Sequence, residues 1–477
     1  MSESLKKKTV RGVAWTSLER VTNIGIGFVI GVILARLLTP SDYGLLAMIG
    51  VFNAISYAFL DSGFANALVR KPDLTEDDNT TAFCFNIVAG LVLFGILWVI
   101  APWVSDFYDK PILTPLVRAE ASLLIISSFR IVQGTQLTRA LNFKAKMLVR
   151  VTSNVLSGIL GVIAAYNGFG VWALVLMHIS GSFTGLVMLW VISPWRPRGR
   201  WNKASFNYLW GYGSKLLASG MLNTIYNNIY PIIIGKFFSA AELGQYTRAN
   251  HYANMPSGTL TGVIQQVTFP VLSQIQDEND RLEKSYRRML RFMVFIIFPV
   301  MFGMAALAHP LVVALVTDKW VQCVPYLQVI CFVSMWYPVH AINLNLLQVK
   351  GRSDLFLRLE IIKKIIGVCV ISISVFYGVM GLCWGSLCSA LICLFINTYY
   401  TGKLINVGFA KQMKDMTPTL LASLAMGTVI YLATMLINGD VLKLAVGIPL
   451  GMTFYLAVAK IFRMPELKEA LDILHRR

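Results

Sequence analysis

The residues of this chain with the means to do chemistry are charged and amide side chains set where hydrocarbon is expected. Glu19 and Arg20 stand well beyond the basic cluster Lys6, Lys7, Lys8 and Arg11, roughly 16 Å further along a helix. Arg130 lies near the middle of an apolar stretch, with Gln133 and Gln136 in the following turns and Arg118 and Glu120 toward its outer end. Lys215 and Asn223 occupy one later stretch, Arg248 and His251 the next, and Asp61 ends an early one. An ionisable group inside a bilayer costs about 3 kcal/mol, so it faces a bundle interior or a wet cavity. Bases outnumber acids here. A cationic cavity suits an anionic ligand, because a phosphate does not cross hydrocarbon bare and arginine binds it through charge-assisted, often bidentate hydrogen bonds. Depth and charge together nominate Arg20, Arg130, Lys215, Asn223, Arg248 and His251 as ligand-binding residues. His178, a single histidine in a glycine-rich apolar helix, reads as a packing or hydrogen-bonding residue.

Other chemistries find no residues to carry them. The sequence has no phosphate-binding glycine loop ending in Lys-Ser/Thr, no paired-histidine zinc motif and no nucleophile elbow. Its seven cysteines sit in or beside apolar stretches without ligand spacing, as packing residues do. The longest loops run to roughly twenty residues, too short for a catalytic domain of typical size. Neither an enzyme, nor a metal site, nor an organic cofactor is expected. Transport without nucleotide hydrolysis by this chain is the better reading, and a membrane polymerase or glycosyltransferase the weaker one.

The elements that must hold these residues are membrane helices. Of the 477 residues, 56% are hydrophobic and only 14% charged, which excludes an ordinary soluble globule. With about 20 apolar residues needed per crossing, the pattern predicts an all-α polytopic protein of fourteen spans, among them 112–137, 207–236 and 243–272. The net charge of +18 suggests a nucleic-acid partner at first sight, but its placement argues otherwise. Lys144, Lys146 and Arg150, then Arg196, Arg198 and Arg200, then Arg287, Arg288 and Arg291 all fall on one side if the spans alternate. By the positive-inside rule that side, with both termini, is cytoplasmic. The charge is thus topology and attraction to anionic membrane lipid, with no nucleic acid.

A repeat organises the spans. Val32–Gly44, VILARLLTPSDYG, lies over Ile232–Gly244, IIIGKFFSAAELG, without a gap. Arg36 meets Lys236, Thr39 meets Ser239, Asp42 meets Glu242, and Asn23 and Asn223 keep the same offset. Each copy reads as a capped turn between two helices. Tyr166 and Gly170 find a second echo in Tyr377 and Gly381. The expected organisation is two six-helix lobes, 1–200 and 201–406, as a parallel repeat, followed by two further helices and an amphipathic tail in 407–477. An even number of helices per repeat suits alternating access by rocking one lobe against the other. The stretch from Asp277 and the tail from Pro465 both read as surface amphipathic helices.

Several stretches also carry a resemblance. TPSDYGLLAM, DSGFANALVRK, LTRALNFKAKMLVR, QYTRANHYANMPSG, TFPVLSQIQDENDRLEKSYRRMLR and LLQVKGRSDLFLRLEIIKK resemble the bacterial lipopolysaccharide and capsule flippases, the Wzx-type, colanic-acid-exporter-like branch of the multidrug/oligosaccharidyl-lipid/polysaccharide superfamily. The similarity spans nearly the whole chain. It implies a flippase of the bacterial inner membrane that turns an undecaprenyl-pyrophosphate-linked oligosaccharide from the inner to the outer leaflet, alone or with other polysaccharide-assembly proteins. It also implies coupling to Na+, H+ or the membrane potential, for which Glu19 and Asp61 are the candidate residues, with His251 a further one. The alternative on the same architecture is an ion-coupled multidrug efflux antiporter, which calls for acids rather than bases in the cavity.

Overall fold

A hydroxyl residue followed three positions later by an acid closes a capping box, and the computed structural model shows both copies of the repeated stretch doing so. The Asp42 amide donates to Thr39 Oγ1 at 3.3 Å, and the Thr39 amide donates to Asp42 Oδ2 at 2.9 Å. The Glu242 amide donates to Ser239 Oγ at 3.1 Å, and the Ser239 amide to Glu242 Oε2 at 3.0 Å. The structure describes the backbone of residues 3–61 and 63–475; within it the side chains of residues 3–14, 17, 61, 215, 219, 263, 264 and 473–475, and so of the basic cluster Lys6, Lys7, Lys8 and Arg11 and of Asp61 and Lys215, lie outside the described set.

Among the described residues every regular element is a helix, and the chain divides into two compact units. The first, Met1–Gly244, contains α1 (Glu3–Leu37), α2 (Pro40–Asp61), α3 (Phe64–Arg70), α4 (Glu76–Tyr108), α5 (Leu113–Ser128), α6 (Ile131–Arg139), α7 (Phe143–Tyr166), α8 (Val171–Ile192), α9 (Lys203–Asn227) and α10 (Ile229–Phe237), and ends in the first turn of α11 (Ala240–Ser273). The second, Gln245–Arg477, takes the rest of α11 with α12 (Asn279–Ala306), α13 (Ala308–Val316), α14 (Cys323–Ser334), α15 (Tyr337–Val349), α16 (Ser353–Ser374), α17 (Gly378–Ile405), α18 (Phe409–Met435), α19 (Asp440–Ile461) and α20 (Pro465–His475).

Ten helical segments of the described residues are long and apolar enough to cross a membrane, one of them, Ser353–Ile405, holding two of the expected spans. The expected spans 112–137, 207–236 and 243–272 are not among the ten. The first is interrupted at Phe129 and Arg130 between α5 and α6, and the second at Asn228 between α9 and α10. The third, α11, is continuous but carries Gln245, Arg248, Asn250, His251 and Asn254 along its length. All three hold polar residues in mid-helix, and lipid would not tolerate those outward.

Unit one is tied at one end by an aromatic cluster and a buried acid. Phe64 stacks on Phe85 at 4.4 Å, and Phe83 meets Trp195 edge-on at 5.6 Å. Asp78 is fully buried, but Lys71 Nζ lies 2.7 Å from it and Thr75 closes the capping box of α4 around it. Its charge is therefore paired and hydrogen-bonded, as burial demands.

Unit two is held by polar contacts of two kinds. In its interior Asn343 of α15 and Gln412 of α18 exchange amide hydrogen bonds of 3.1 and 3.0 Å, and Thr401 of α17 donates to Asn343 Oδ1 at 2.6 Å. At one end Arg287 of α12 grips Asp415 of α18 in a two-pronged pair of 2.7 Å bonds. Arg291 and Arg288 reach the tail helix α20 at Glu466 (2.8 Å) and Glu469 (2.7 Å). The stretch from Asp277 is therefore not a separate surface helix. It is the start of α12, and Leu282 and Tyr286 are fully buried in unit two. Asp415→Asn removes the charge that Arg287 grips and is expected to cost about 2 kcal/mol. A lower unfolding temperature in detergent and faster proteolytic clipping of α20 would show it; an unchanged midpoint would mean that the pair is dispensable.

Candidate functional site

The break between α5 and α6 places a guanidinium inside unit one. Phe129 and Arg130 form a tighter turn, the Arg130 amide donating to the Ser127 carbonyl at 2.9 Å, and the α-helix resumes at Ile131. A Cβ on Gly185 of α8 would stand 3.0 Å from Arg130 Nη2 and 3.2 Å from Ser153 Oγ of α7, so the glycine makes room for the guanidinium against α8. Arg130 is one wall of a cavity of about 870 Å³. Lys146 and Arg150 of α7, one turn apart, supply two more cations. Tyr57 of α2, Ser127 of α5 and Ser182 of α8 add hydroxyls, and Thr224, Asn227 and Asn228, at the break between α9 and α10, add further polar groups.

The balance of charge is positive. Arg150 Nη1 lies 2.8 Å from Glu19 Oε1 of α1, with Glu19 buried and Arg150 largely exposed. One turn along both helices Asn154 donates to Asn23 at 2.6 Å, so α1 and α7 run parallel with two polar rungs between them. Lys146 donates to Thr138 Oγ1 at 2.9 Å. Among the described residues the cavity thus gathers three cations with one carboxylate at its edge. Such a site can hold a multiply charged oxyanion: Arg130 offers a planar fork, Lys146 a point charge, and Arg150 can exchange Glu19 for the ligand.

The sequence candidates are distributed as follows. Arg130 lines the cavity. Glu19 stands at its edge through Arg150, and Asn23, the repeat partner of Asn223, lies beside it. Arg20 is half-buried on α1 and not among the lining residues, and Asn223 is exposed on α9, one turn before Asn227. Arg248 and His251 belong to unit two, where Arg248 is buried with its guanidinium 5.0 Å from the Trp320 ring and 5.7 Å from that of Tyr252. His251 is exposed, its ring 6.2 Å from that of Tyr252. The candidate side chains of Lys215 and Asp61 lie outside the described residues. Lys146 and Arg150 are not among the sequence candidates, because the alternation of charge places them between two spans. Their spacing of four inside a helix that starts at Phe143 was the available signal.

The teichuronic acid biosynthesis protein TuaB of Bacillus subtilis is 26% identical over 354 residues, covering 74% of this chain and 73% of that protein. The lipopolysaccharide biosynthesis protein WzxC of Escherichia coli K12 is 25% identical over 405 residues, 83% of this chain and 80% of its own. Among solved structures, the lipid II flippase MurJ in an inward closed conformation superposes with a TM-score of 0.74 at 14% identity, covering 95% of this chain and 98% of that one. An inward-facing MATE family multidrug transporter of the MOP superfamily gives 0.62 at 14% identity over 83% of this chain and all of its own. The fold is that of these multi-pass membrane transporters. The sequence profile described as "Polysaccharide biosynthesis protein" matches residues 33–325, more than half of the chain, and the chain belongs to that family.

Proposed function

We propose that this protein is a flippase that moves an undecaprenyl-pyrophosphate-linked oligosaccharide from the inner to the outer leaflet of the bacterial cytoplasmic membrane, for assembly of a surface polysaccharide. The observation that carries the reading is the cavity of unit one, where among the described residues Arg130, Lys146 and Arg150 stand against the single carboxylate of Glu19. A pyrophosphate linker brings the negative charge such a cavity accepts, and the family and the MurJ-like fold support the same substrate class. In this reading both termini are cytoplasmic, the chain crosses the membrane fourteen times, and 1–200 and 201–406 act as lobes in alternating access with 407–477 appended. The chain catalyses no covalent step, and the glycan lipid is its partner.

The test is a deletion strain in which lipid-linked oligosaccharide is followed in each leaflet by accessibility to a sugar-specific lectin. Accumulation on the cytoplasmic side, reversed by complementation, is the expected result. An unchanged distribution together with altered drug sensitivity would replace the reading with efflux. A finer expectation concerns Glu19, which competes with the ligand for Arg150. Glu19→Gln is expected to tighten binding of inorganic pyrophosphate to the purified protein by roughly two- to tenfold, in line with loss of a partly screened competing charge. Weaker binding in calorimetry would mean instead that Glu19 positions Arg150 for the ligand.

A further inference from the structure

Glu120 is a carboxylate sealed inside unit one. It lies on α5 and is 1% exposed. Its two oxygens are used separately: Asn53 Nδ2 of α2 donates to Oε2 at 2.8 Å, and His178 Nδ1 of α8 stands 3.1 Å from Oε1, donor or acceptor according to its tautomer. The His178 side chain is 40% exposed, so the pair is closed at the carboxylate and open at the imidazole.

The surroundings contain few other charges. From α2, Tyr57 is within electrostatic reach of both Glu120 and Arg130, and its hydroxyl accepts from Ser127 Oγ at 3.3 Å. From α8 the only titratable residue is His178. From α4, Cys84 is the one ionisable residue between Asn79 and Ser105. On its own helix Arg118 turns away, its guanidinium 4.1 Å from the Trp98 ring and its Nε donating to the Trp98 carbonyl.

The same three helices lead to the cavity. Tyr57 follows Asn53 by one turn, Ser182 follows His178 by one turn, and Ser127 follows Glu120 by two, and all three later residues line the cavity. The carboxylate therefore lies one to two turns beyond the anion site, roughly 6–10 Å along the helices.

From this juxtaposition we infer that Glu120, His178 and Asn53 form a proton-binding site whose proton offsets the negative charge of an anion in the neighbouring cavity. With Glu120 ionised and His178 neutral, Nδ1–H donates to Oε1 and the pair carries one negative charge. A proton from water arrives at the open imidazole on Nε2. The Nδ1 proton then passes to Oε1, which leaves a neutral carboxyl group and a neutral imidazole protonated on Nε2. Asn53 donates to Oε2 throughout. An anion entering the cavity repels the ionised carboxylate and so favours uptake of that proton. The offsetting role rests on the anion-binding reading above; the existence of the proton site does not.

Two measurements on the purified full-length protein separate these claims. Infrared difference spectra between acidic and alkaline pH are expected to show the carbonyl stretch of a protonated carboxyl group that is absent in Glu120→Gln and displaced in His178→Gln. If Glu120→Gln does not fold, His178→Gln carries the same test. A spectrum indifferent to these substitutions would overturn the proton site. For the linkage, calorimetric titration with inorganic pyrophosphate in buffers of different ionisation enthalpy is expected to show up to about one more proton taken up by wild type than by Glu120→Gln, and up to about a tenfold steeper loss of affinity per pH unit. The probe's own protonation is common to both proteins and cancels in the difference. Equal uptake would overturn the offsetting role and leave anion binding intact. Failure of pyrophosphate to bind either protein would overturn the anion cavity, and the offsetting role with it, while the infrared result still decides the proton site.

Discussion

Arg130→Ala is expected to lower outward movement of the lipid-linked oligosaccharide by roughly 10- to 100-fold, the equivalent of about 1.5–3 kcal/mol for hydrogen bonds to a charged group. Among the described residues no carboxylate is paired with Arg130, whereas Lys146 already donates to Thr138 and Arg150 already holds Glu19. Its fork is thus the part of the cavity least engaged by the protein itself. Arg130→Lys keeps the charge but loses the planar, two-pronged geometry, and an intermediate effect is expected. Arg150→Ala differs in kind, because it leaves Glu19 buried without its partner and adds a negative charge to the site. Combining it with Glu19→Gln should therefore recover part of the loss. The measurement is surface glycan together with the leaflet distribution of the intermediate, in a strain carrying each variant as its only copy, at matched membrane levels. Full complementation by Arg130→Ala would remove this cavity from the transport path.

The sequence showed the repeat because a capping box is local. Thr39 with Asp42 and Ser239 with Glu242 are three apart, and their spacing alone dictates the turn. It also showed Arg130, because a lone arginine in an apolar stretch is conspicuous without any knowledge of neighbours. What it hid lies in contacts across the chain. Arg150 meets Glu19, and His178 meets Glu120, only after the helices have packed. Glu120 read as a group near a span's end, and nothing in its own segment says that α2, α4 and α8 close over it. His178 reads as a packing or hydrogen-bonding residue, and its own segment does not name Glu120 as the partner. Hydropathy, for its part, loses its grip where function is concentrated. The stretches α5/α6, α9/α10 and α11 fall outside the ten apolar segments because amides and charges interrupt their apolar runs.

The repeat also sets up the second large effect, at the crossing of α2 with the first turn of α11, inside unit one. A Cβ on Gly44 would overlap the carbonyl oxygen of Ala240, and a Cβ on Gly244 would overlap the carbonyl oxygen of Pro40. The repeat pairs Gly44 with Gly244 and Pro40 with Ala240, so each turn sets its glycine on the other turn's first carbonyl, a reciprocal contact. The obstructing atoms are backbone, which cannot swing aside as a side chain does. Gly44→Ala is therefore expected to force the helices apart and cost about 3 kcal/mol, the upper end of the range for overpacking. Gly50, two turns along on the same helix and with open space where its Cβ would sit, provides the control. Gly50→Ala should be neutral or stabilising by up to about 1 kcal/mol, from helix propensity alone. Gly244→Ala should match Gly44→Ala, and the double variant should cost less than the two together, since the shift made for one methyl also admits the other. Thermal unfolding of the four variants in detergent, read by size exclusion, tests all of this at once. Equal midpoints for Gly44→Ala and Gly50→Ala would show that the two turns do not meet through their glycines.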